Sequence, residues 1–391
     1  MKQPIRKRIA EANNVKQGKD TYIAVFDMNN IMKISSVDHR INSDGNEYGI
    51  VMSSLRIIGD ILKKKDFDYC YAAYDGEGSG LLRWRMYPDY KANRDKHYEQ
   101  YNAQSDYDKF LVEYQKRTIA YSRSKNKGLK RGENDEEAFA RQKEILQSIL
   151  EELCIRQFEF DSVEGDDIIS YIVKNKHEHE KVVIVSSDKD LTQLISDTVI
   201  VYNPRIKDFI TKDNSIEKLG ITHENIVLQK ILCGDDSDNI KGIKGMGETT
   251  LSKLFPEIIT RKCDLETIRE RSMELLEQRK AEKKKPLKSL ENVLNGITDG
   301  CQGDKIYEIN KAIIDLSEPL LTDEAKSELC DGLYTPMDTD DRDIKNVYEI
   351  ISENNMSDLM NENKFGSIFG SYSRIIMMEK NRFKNFKEKK Q

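Results

Sequence analysis

Residues 22–27 read YIAVFD, a short run of apolar and aromatic residues that ends in an acid. Two further runs have the same form, YCYAAYD at residues 69–75 and VVIVSSDKD at residues 182–190. Such runs predict short buried strands, and a fourth, TVIVY at residues 198–202, continues the series. Each of the first three predicted strands is therefore followed by a carboxylate.

Helical patterns separate these predicted strands. Examples are VMSSLRIIGDILKKK at residues 51–65 and FARQKEILQSILEELC at residues 139–154. Strands that alternate with helices predict an α/β fold with a central, mostly parallel sheet flanked by helices. From residue 225 the pattern is helical to the end, with a Lys-rich break at residues 282–286 and a polar break at residues 335–343.

The composition is that of a globular protein. Of the 391 residues, 38% are hydrophobic, which is enough for a substantial core. No apolar run approaches the roughly 20 residues that span a bilayer, and the first residues lack a signal peptide. We therefore expect a cytoplasmic protein with no membrane partner. The six cysteines form no CxxC pair, which argues against a zinc site and against a disulfide framework.

The formal net charge of −6 is unevenly distributed. Residues 1–20 carry six bases against two acids, residues 83–131 carry thirteen bases against six acids, and the last twelve residues are basic. The location of charge matters more for nucleic-acid binding than its total. Basic runs are nevertheless most often solvated surfaces, so charge alone assigns no function.

Carboxylates are the candidate chemical groups. The carboxyl ends of parallel strands line the ligand crevice of an open α/β sheet, so Asp27, Asp75 and the pair Asp188 and Asp190 should converge. Two further groups of acids follow along the chain. The first group lies at the start of a helix that Ser162 would cap, and the second is a pair spaced to share one helical face or turn. These acids are Glu164, Asp166 and Asp167 in the first group and Asp235 and Asp238 in the second.

Nine carboxylates in one cleft would repel each other unless cations compensated them. Asp and Glu without His or Cys form the ligand set of a hard cation, Mg²⁺ or in its place Mn²⁺. Nine ligands are too many for one octahedral ion, so two ions are expected. Two ions about 3.5–4 Å apart are the usual arrangement for phosphodiester hydrolysis. Any one of these acids alone would more often be a surface turn or a helix cap.

Five segments within residues 22–255 resemble, in the same order, the flap endonuclease and 5′ to 3′ exonuclease family, and within it the phage ribonucleases H. They are VFDMNNI, YDGEGSGLLRWRMYPDYKANRD, VEGDDI, VIVSSDKDLTQLIS and CGDDSDNIKGIKGMGETTLSKLF. The resemblance implies a PIN-like 5′-nuclease fold with a helical arch and an active phosphodiester hydrolase. It also implies that all nine acids bind metal.

The segment PDYKANRD, residues 88–95, is similar to the base of the family's arch. The resemblance implies that Lys91 and Arg94 are catalytic cations, because a cation at the scissile phosphate stabilises developing charge. Tyr90 would stack on a base. The same resemblance puts Lys33 and Arg83 among the DNA contacts. An amphipathic helix with solvated lysines is the alternative interpretation of this segment.

The glycine-rich run GIKGMGETT, residues 242–250, is typical of the hairpin in a helix–hairpin–helix. Glycines let the backbone approach a phosphate, and the start of the following helix offers N–H groups to an anion. The expected duplex contacts are Gly242, Lys244, Gly245, Gly247 and Thr249. Directly after GDDSDN this run favours duplex DNA, whereas alone it would fit an ordinary turn.

These arguments predict three regions and one insertion. They are a basic extension at 1–20, an α/β nuclease domain at 21–224 with the arch near 83–135, and a helical domain at 225–391 with the helix–hairpin–helix at 235–255. Residues 103–131 form an insertion with tyrosines at seven-residue spacing. We expect it to contact a single 5′ strand, and a longer structural arch is the alternative.

The predicted function is a two-metal 5′-nuclease of DNA replication or repair. Its expected partners are branched or 5′-flapped duplex DNA and RNA–DNA hybrids, and its expected state is a monomer. A sliding clamp or single-strand DNA-binding protein is a further candidate partner, through Phe383 and Phe386. Two alternatives remain open: a catalytically silent structure-specific DNA-binding protein, and an RNA-processing nuclease of the same fold.

Overall fold

The computed structural model describes residues 21–92, 135–298 and 303–390. The basic extension at 1–20, the insertion at 103–131 and the predicted cation Arg94 lie outside these residues.

A six-stranded sheet is the centre of the fold. Its strands are β1 (Thr21–Asp27), β2 (Tyr69–Ala73), β3 (Arg156–Phe158), β4 (Glu180–Val185), β5 (Val199–Asn203) and β6 (Asp208–Ile210). The strand order is β3-β2-β1-β4-β5-β6, and every neighbouring pair is parallel except β5 and β6. A separate antiparallel pair consists of β7 (Gly234–Asp235) and β8 (Ile240–Lys241). The predicted α/β class with a mostly parallel sheet is confirmed.

The four predicted strands correspond to β1, β2, β4 and β5. The sequence did not indicate β3 or β6, which are three residues each and read RQF and DFI. Neither contains an apolar run. Their extended conformation comes from pairing with β2 and β5, which is a tertiary effect rather than a local one.

Helices cover the sheet and form the rest of the described chain. They are α1 (Met28–Ser35), α2 (Gly49–Lys64), α3 (Leu81–Met86), α4 (Asp135–Glu152), α5 (Gly165–Asn175), α6 (Ser215–Leu219), α7 (Ile226–Cys233), α8 (Glu248–Leu254), α9 (Glu257–Thr260), α10 (Leu265–Ala281), α11 (Lys288–Asn295), α12 (Lys305–Ile314), α13 (Asp323–Gly332), α14 (Ile344–Glu353), α15 (Glu362–Phe369) and α16 (Ser373–Lys390). None of these helices is both long enough and apolar enough to cross a lipid bilayer.

Alternate residues of the strands bury on opposite faces of the sheet, as the two-residue period of a strand requires. Phe26 of β1 belongs to a core formed with α2 and α4, whereas its neighbour Val25 belongs to a core formed with α5. Both side chains are fully buried. The sheet is thus the middle layer, and its edge at the carboxyl ends of the strands remains open.

The C-terminal helices return to this sheet. Leu329 of α13 packs in the core with α5, and Val347 of α14 and Tyr372 pack in the core with α2. The Tyr372 hydroxyl donates a hydrogen bond to the Leu55 carbonyl at 2.7 Å. The prediction of a single helical domain from residue 225 to the end is therefore wrong for the second half of that range, because these helices complete the α/β unit. The third core lies mostly between residues 219 and 314, and Tyr87 and Tyr90 pack into it.

Candidate active site

The site lies where the strand order reverses, between β1 and β4. Connections leave in opposite directions at such a point, which opens a crevice at the carboxyl ends of the strands. Asp27 ends β1, and Ser186 follows β4 directly. The Ser186 hydroxyl donates to Asp27 Oδ2 at 2.6 Å and accepts from the Asp188 backbone N–H at 2.9 Å. One serine therefore holds both acids across the crevice.

Asp75 joins the site from β2. Its Oδ1 accepts the Gly165 N–H at 2.7 Å and its Oδ2 accepts from the Asn29 side chain at 2.9 Å. The first contact links β2 to the beginning of α5. Helix α5 begins after Glu164 as N-cap, not after Ser162 as the sequence suggested. Ser162 has a φ of 66°, a left-handed conformation that removes it from the capping position.

Asp27, Asp75, Asp166 and Asp188, here called the strand-end cluster, influence each other electrostatically. Burial, together with the charges of Asp188 and Asp75, raises the pKa of Asp27 to about 7. Burial and the charges of Asp188, Asp27 and Asp75 raise the pKa of Asp166 well above its usual value. These shifts mean that the neighbouring groups do not compensate all of the negative charge here.

Arg83 occupies the interior beside this cluster. Its Nη1 contacts Glu164 Oε2 at 2.6 Å and Asp167 Oδ2 at 2.5 Å, and its Nε donates to the Ile313 carbonyl at 2.9 Å. Only 4% of Arg83 is exposed. The expected DNA contact through Arg83 is therefore wrong for this structure, because two carboxylates and a carbonyl surround the guanidinium. Asp167 also accepts the Leu320 N–H at 2.9 Å, so both its oxygens already have donors.

Lys91 lies near the end of the described part of the segment at residues 88–95 and forms an ion pair with Glu164. Its φ of 58° is left-handed, which is uncommon for a residue other than glycine. Burial raises the pKa of Glu164, but the charges of Lys91 and Arg83 outweigh it and lower this pKa to about 2. Glu164 is therefore a fixed anion that holds Lys91 at the rim of the cleft.

Tyr90 is buried rather than available for stacking. It is 5% exposed, its ring belongs to the third core, and its hydroxyl donates to Glu164 Oε2 at 3.1 Å. The predicted base stacking on Tyr90 is therefore wrong for this structure. Residues 89–91 are instead attached to the β7–β8 turn by two hydrogen bonds of 2.8 Å. The Lys91 N–H donates to the Asp238 carbonyl, and the Asn239 side chain donates to the Asp89 carbonyl.

Asp190, Asp235 and Asp238, here called the hairpin cluster, offer carboxylate oxygens that lie within 4.8 Å of one another. Asp235 and Asp238 lie on the β7–β8 turn, not on a helical face. Lys230 of α7 reaches between two of these acids: it forms an ion pair with Asp190 and contacts Asp235 Oδ2 at 2.5 Å. Burial lowers the pKa of Lys230, but the two carboxylates raise it by more. Lys230 therefore stays protonated.

The two clusters share one cleft of about 600 Å³. Its lining includes acids of both clusters together with Lys33, Lys91, Lys189 and Lys230. The donors are carboxylate oxygens, which suit a hard divalent cation, and burial together with neighbouring carboxylates disfavours the ionised forms of Asp27 and Asp166 in the absence of a cation. Among the described residues, the hairpin cluster is the group whose carboxylate oxygens lie close enough together to hold a divalent ion, in competition with Lys230.

The hairpin between α7 and α8 presents a polar surface beside this cleft. Ile243 and Met246 are buried in the third core, while Lys244, Gly245 and Gly247 are exposed. Thr249, the second residue of α8, is exposed as well. A Cβ on Gly247 would meet nothing within 4 Å, and Gly245 has a φ of +82°. These positions leave the backbone accessible to a phosphate.

Gly242 has a different role from the predicted DNA contact. A Cβ at this position would lie 2.1 Å from the Cys233 carbonyl carbon and 2.3 Å from the Gly234 nitrogen. Glycine is thus required because the hairpin passes directly against the end of α7.

Three residues of the site had not been singled out from the sequence. Lys230 lies five residues before Asp235, and its basic charge in an otherwise apolar helix was the available signal. Asn29 positions Asp75, and Ser186 bridges Asp27 and Asp188. Both lie within two residues of a predicted metal ligand. Polar residues immediately next to strand-end acids were therefore the signal for these two positioning groups.

Comparison with known proteins agrees with this geometry. The family model for the 5′-3′ exonuclease N-terminal resolvase-like domain matches residues 31–220. DNA polymerase I of Bacillus subtilis (strain 168) is 37% identical over 140 residues, which are 34% of this chain and 16% of the polymerase. The 5′-3′ exonuclease of Aquifex aeolicus (strain VF5) is 38% identical over 107 residues, 27% of this chain and 37% of the exonuclease. The matches thus span much less than two thirds of either relative.

A solved structure shares the fold over most of the chain. The T5 D15 protein co-crystallized with metal ions has a TM-score of 0.54 and 19% sequence identity, covering 84% of this chain and 99% of that one. At this identity the likeness shows the architecture alone.

Proposed function

We propose that the chain, whose residues 31–220 match the family model for the 5′-3′ exonuclease N-terminal domain, is a divalent-metal-dependent, structure-specific 5′-nuclease. The observation that carries this proposal is one cleft lined by acids of both clusters, with the hairpin-cluster oxygens within 4.8 Å of one another and the cationic Lys91 at its rim. An acidic surface of this kind repels DNA unless cations occupy it, and together with cations it can bind a phosphodiester.

The acids would hold two ions, Mg²⁺ or in its place Mn²⁺. The ligands would be Asp27, Asp75, Asp166 and Asp188 for one ion, and Asp190, Asp235 and Asp238 for the other. When bound, such ions activate water and stabilise the leaving oxygen. Glu164 and Asp167 support the site through Arg83 and Lys91, a role supported by their ion pairs in the structure.

Lys91 would stabilise the charge that develops on the scissile phosphate. Its ammonium is at the rim of the cleft, and the buried anion Glu164 keeps it there. A cation placed before the substrate arrives needs little reorganisation during the reaction. Arg94, three residues further, would act beside it.

The substrates would be duplex DNA with a 5′ flap or nick and RNA–DNA hybrids. The hairpin at Lys244, Gly245 and Gly247 supports duplex binding, since its exposed backbone adjoins the cleft and would read no sequence. Lys33 on α1 lies at the same rim and would contact the backbone. This proposal extends to the removal of RNA primers during replication or repair and to action as a monomer. It also extends to docking of a sliding clamp or single-strand DNA-binding protein through Phe383 and Phe386.

The test is a cleavage assay on 5′-labelled flap, nicked and RNA-primed duplexes with Mg²⁺, with Mn²⁺ and with EDTA. We expect cleavage near the 5′ end of the branched strand only when metal is present. Single-stranded RNA of matched length serves as the control substrate. Binding without cleavage would favour a silent DNA-binding protein, and preferential cleavage of the RNA would favour an RNA-processing nuclease.

A further inference from the structure

Helices α10 and α11 form a hairpin that projects from the third core. Ile268 and Ser272 near its beginning and Leu290 and Val293 near its end are buried. None of the residues 273–289 between them is buried. Leu275, Leu276 and Leu287 pack against the third core while partly exposed, and residues 280–286 between them are all exposed.

Charge is polarised along this hairpin. Residues 266–277 carry four acids and two bases, whereas residues 279–288, here called the lysine tip, carry six bases and one acid. The acid, Glu282, contacts Lys284 at 2.8 Å in a surface ion pair that solvent screens. In a chain with a net charge of −6, the tip is a concentrated positive patch.

The lysine tip is continuous with the phosphate-facing hairpin of the site. The Asn292 side chain of α11 donates to the Lys244 carbonyl at 2.8 Å, and the Lys244 N–H donates to the Ile297 carbonyl at 2.9 Å. A Cβ on Gly245 would lie 3.7 Å from the Ser289 Cβ. Helix α11 thus lies directly beside Gly245, and its first residue, Lys288, belongs to the tip.

The distances suit a single DNA duplex. Lys285 is four residues from Ser289, so the chain between them spans at most about 14 Å. One turn of duplex DNA is about 34 Å long. The tip therefore lies within one turn's length of a duplex that contacts the hairpin.

We propose that the lysine tip is a second backbone-binding element that extends the duplex footprint away from the cleft. This inference rests on the proposed duplex binding by the hairpin at residues 242–247. Lysines at the tip would neutralise phosphates and release counterions, which strengthens binding without sequence preference.

The experiment compares wild type with K283A/K284A/K285A in fluorescence anisotropy on a long nicked duplex at several salt concentrations. Each lost phosphate contact lowers the slope of log K against log salt by about 0.9, so we expect a decrease of about 2–3. At about 0.1 M salt the affinity should fall on the order of 10-fold. Cleavage of a duplex too short to reach the tip should be unchanged.

The chain contains a matched control in Lys63, Lys64 and Lys65, another run of three lysines. It spans the end of α2, with Lys63 and Lys64 as the last helical residues, and precedes β2, so it lies toward the amino ends of the strands, away from the cleft. K63A/K64A/K65A removes the same formal charge. We expect this variant to bind the long duplex like wild type.

Each outcome bears on a different statement. If both triple variants weaken binding equally, general charge explains the effect and the proposal is overturned. If the tip variant binds like wild type, the proposal is overturned as well, and an acidic protein partner becomes the alternative. If wild type itself neither binds nor cleaves duplex DNA, the proposed function fails first.

Discussion

Three basic side chains, Arg83, Lys91 and Lys230, determine how much negative charge is left for metal. Arg83 and Lys91 neutralise Glu164 and Asp167, and Lys230 contacts two acids of the hairpin cluster. The strand-end cluster retains the raised pKa values of Asp27 and Asp166. The two clusters therefore differ in how far a basic side chain already neutralises their acids.

Asp166→Asn should abolish metal-dependent cleavage without weakening the fold. Since burial and like charges raise the pKa of Asp166, its ionised form is disfavoured, and a neutral amide removes that cost. In metal-free buffer the thermal midpoint should equal or exceed that of wild type, while the stabilisation by Mg²⁺ should shrink. Differential scanning calorimetry with and without Mg²⁺ measures both effects. We expect the same loss of cleavage for Asp188→Asn.

The matched control is Asp161→Asn, an exposed acid five residues from Asp166. It should change neither cleavage nor the response to Mg²⁺. Mg²⁺-dependent turnover by Asp166→Asn at the rate of wild type would contradict the assignment of this ligand.

Lys91→Ala should lower kcat much more than it changes KM. The ammonium should act mainly on charge that develops in the transition state, and loss of one such group typically lowers kcat by about 10²–10³. Steady-state kinetics on a flap substrate measures the two constants, and Lys91→Arg should restore part of kcat. Equal changes in kcat and in ground-state affinity would identify Lys91 as a simple tether.

Lys230→Met should increase the affinity of the hairpin cluster for divalent ions. Removing the ammonium leaves Asp190 and Asp235 without their cation, and a divalent ion can then interact with both. At an effective dielectric constant near 20, a charge pair 4 Å apart interacts by about 4 kcal/mol, so tighter binding of at least about 10-fold is expected. Titration calorimetry with Mn²⁺ measures the affinity, and Lys189→Met, which alters a neighbouring lysine of the cleft, is the control. Weaker Mn²⁺ binding by the Lys230 variant would show that the lysine organises the acids for metal.

At the scale of elements, the hairpin at residues 242–247 uses some residues to hold its position and leaves others exposed for binding. Ile243 and Met246 anchor it, Gly242 allows its close approach to α7, and Gly247 faces open space. Gly245, with its φ of +82°, would be strained by any side chain. A substitution at Gly245 therefore tests folding and binding together, whereas one at Gly247 tests binding alone.

Gly247→Val should weaken duplex binding by about 10-fold, whatever the base sequence, because its side chain would displace the phosphate backbone. The thermal midpoint should stay close to that of wild type. Gly366→Val provides the control, since Gly366 is also exposed and a Cβ there meets nothing within 4 Å. Undiminished duplex affinity of Gly247→Val would reduce the hairpin to a structural turn.

Local patterns predicted the central elements well, because burial on both faces leaves an apolar run in β1, β2, β4 and β5. The acids at the strand ends could also be predicted, since the position of a strand end follows from the run before it. Contacts between distant segments could not. The burial of Arg83 depends on Ile313, which is 230 residues away, and that of Tyr90 depends on a core formed mostly after residue 219.

At the scale of the molecule, the C-terminal helices complete the α/β unit. Ending the chain after residue 334 would remove α14, α15 and α16 and expose the apolar side chains of α2 that they cover. We expect such a variant to lose cooperative thermal unfolding and to aggregate, because the lost burial far exceeds the usual margin of stability. Circular dichroism melts and sedimentation measure the loss.

The control for this truncation is a chain that ends after residue 387. It lacks only the end of α16, where residues 388 and 389 are exposed. It should melt like wild type. A cooperative, soluble chain ending after residue 334 would show that the α/β unit is complete without these helices.

The hydrogen bond between Tyr372 and Leu55 also sets an order in time. The two residues are 317 positions apart, and ribosomes add about 5–20 residues per second, so Tyr372 is made roughly 15–60 s after Leu55. Throughout that interval the core on the α2 side of the sheet lacks the side chains that α14, α15 and Tyr372 later add to it. A nascent chain that has not yet reached Tyr372 therefore holds a finished α2 whose outer apolar side chains still wait for their partners.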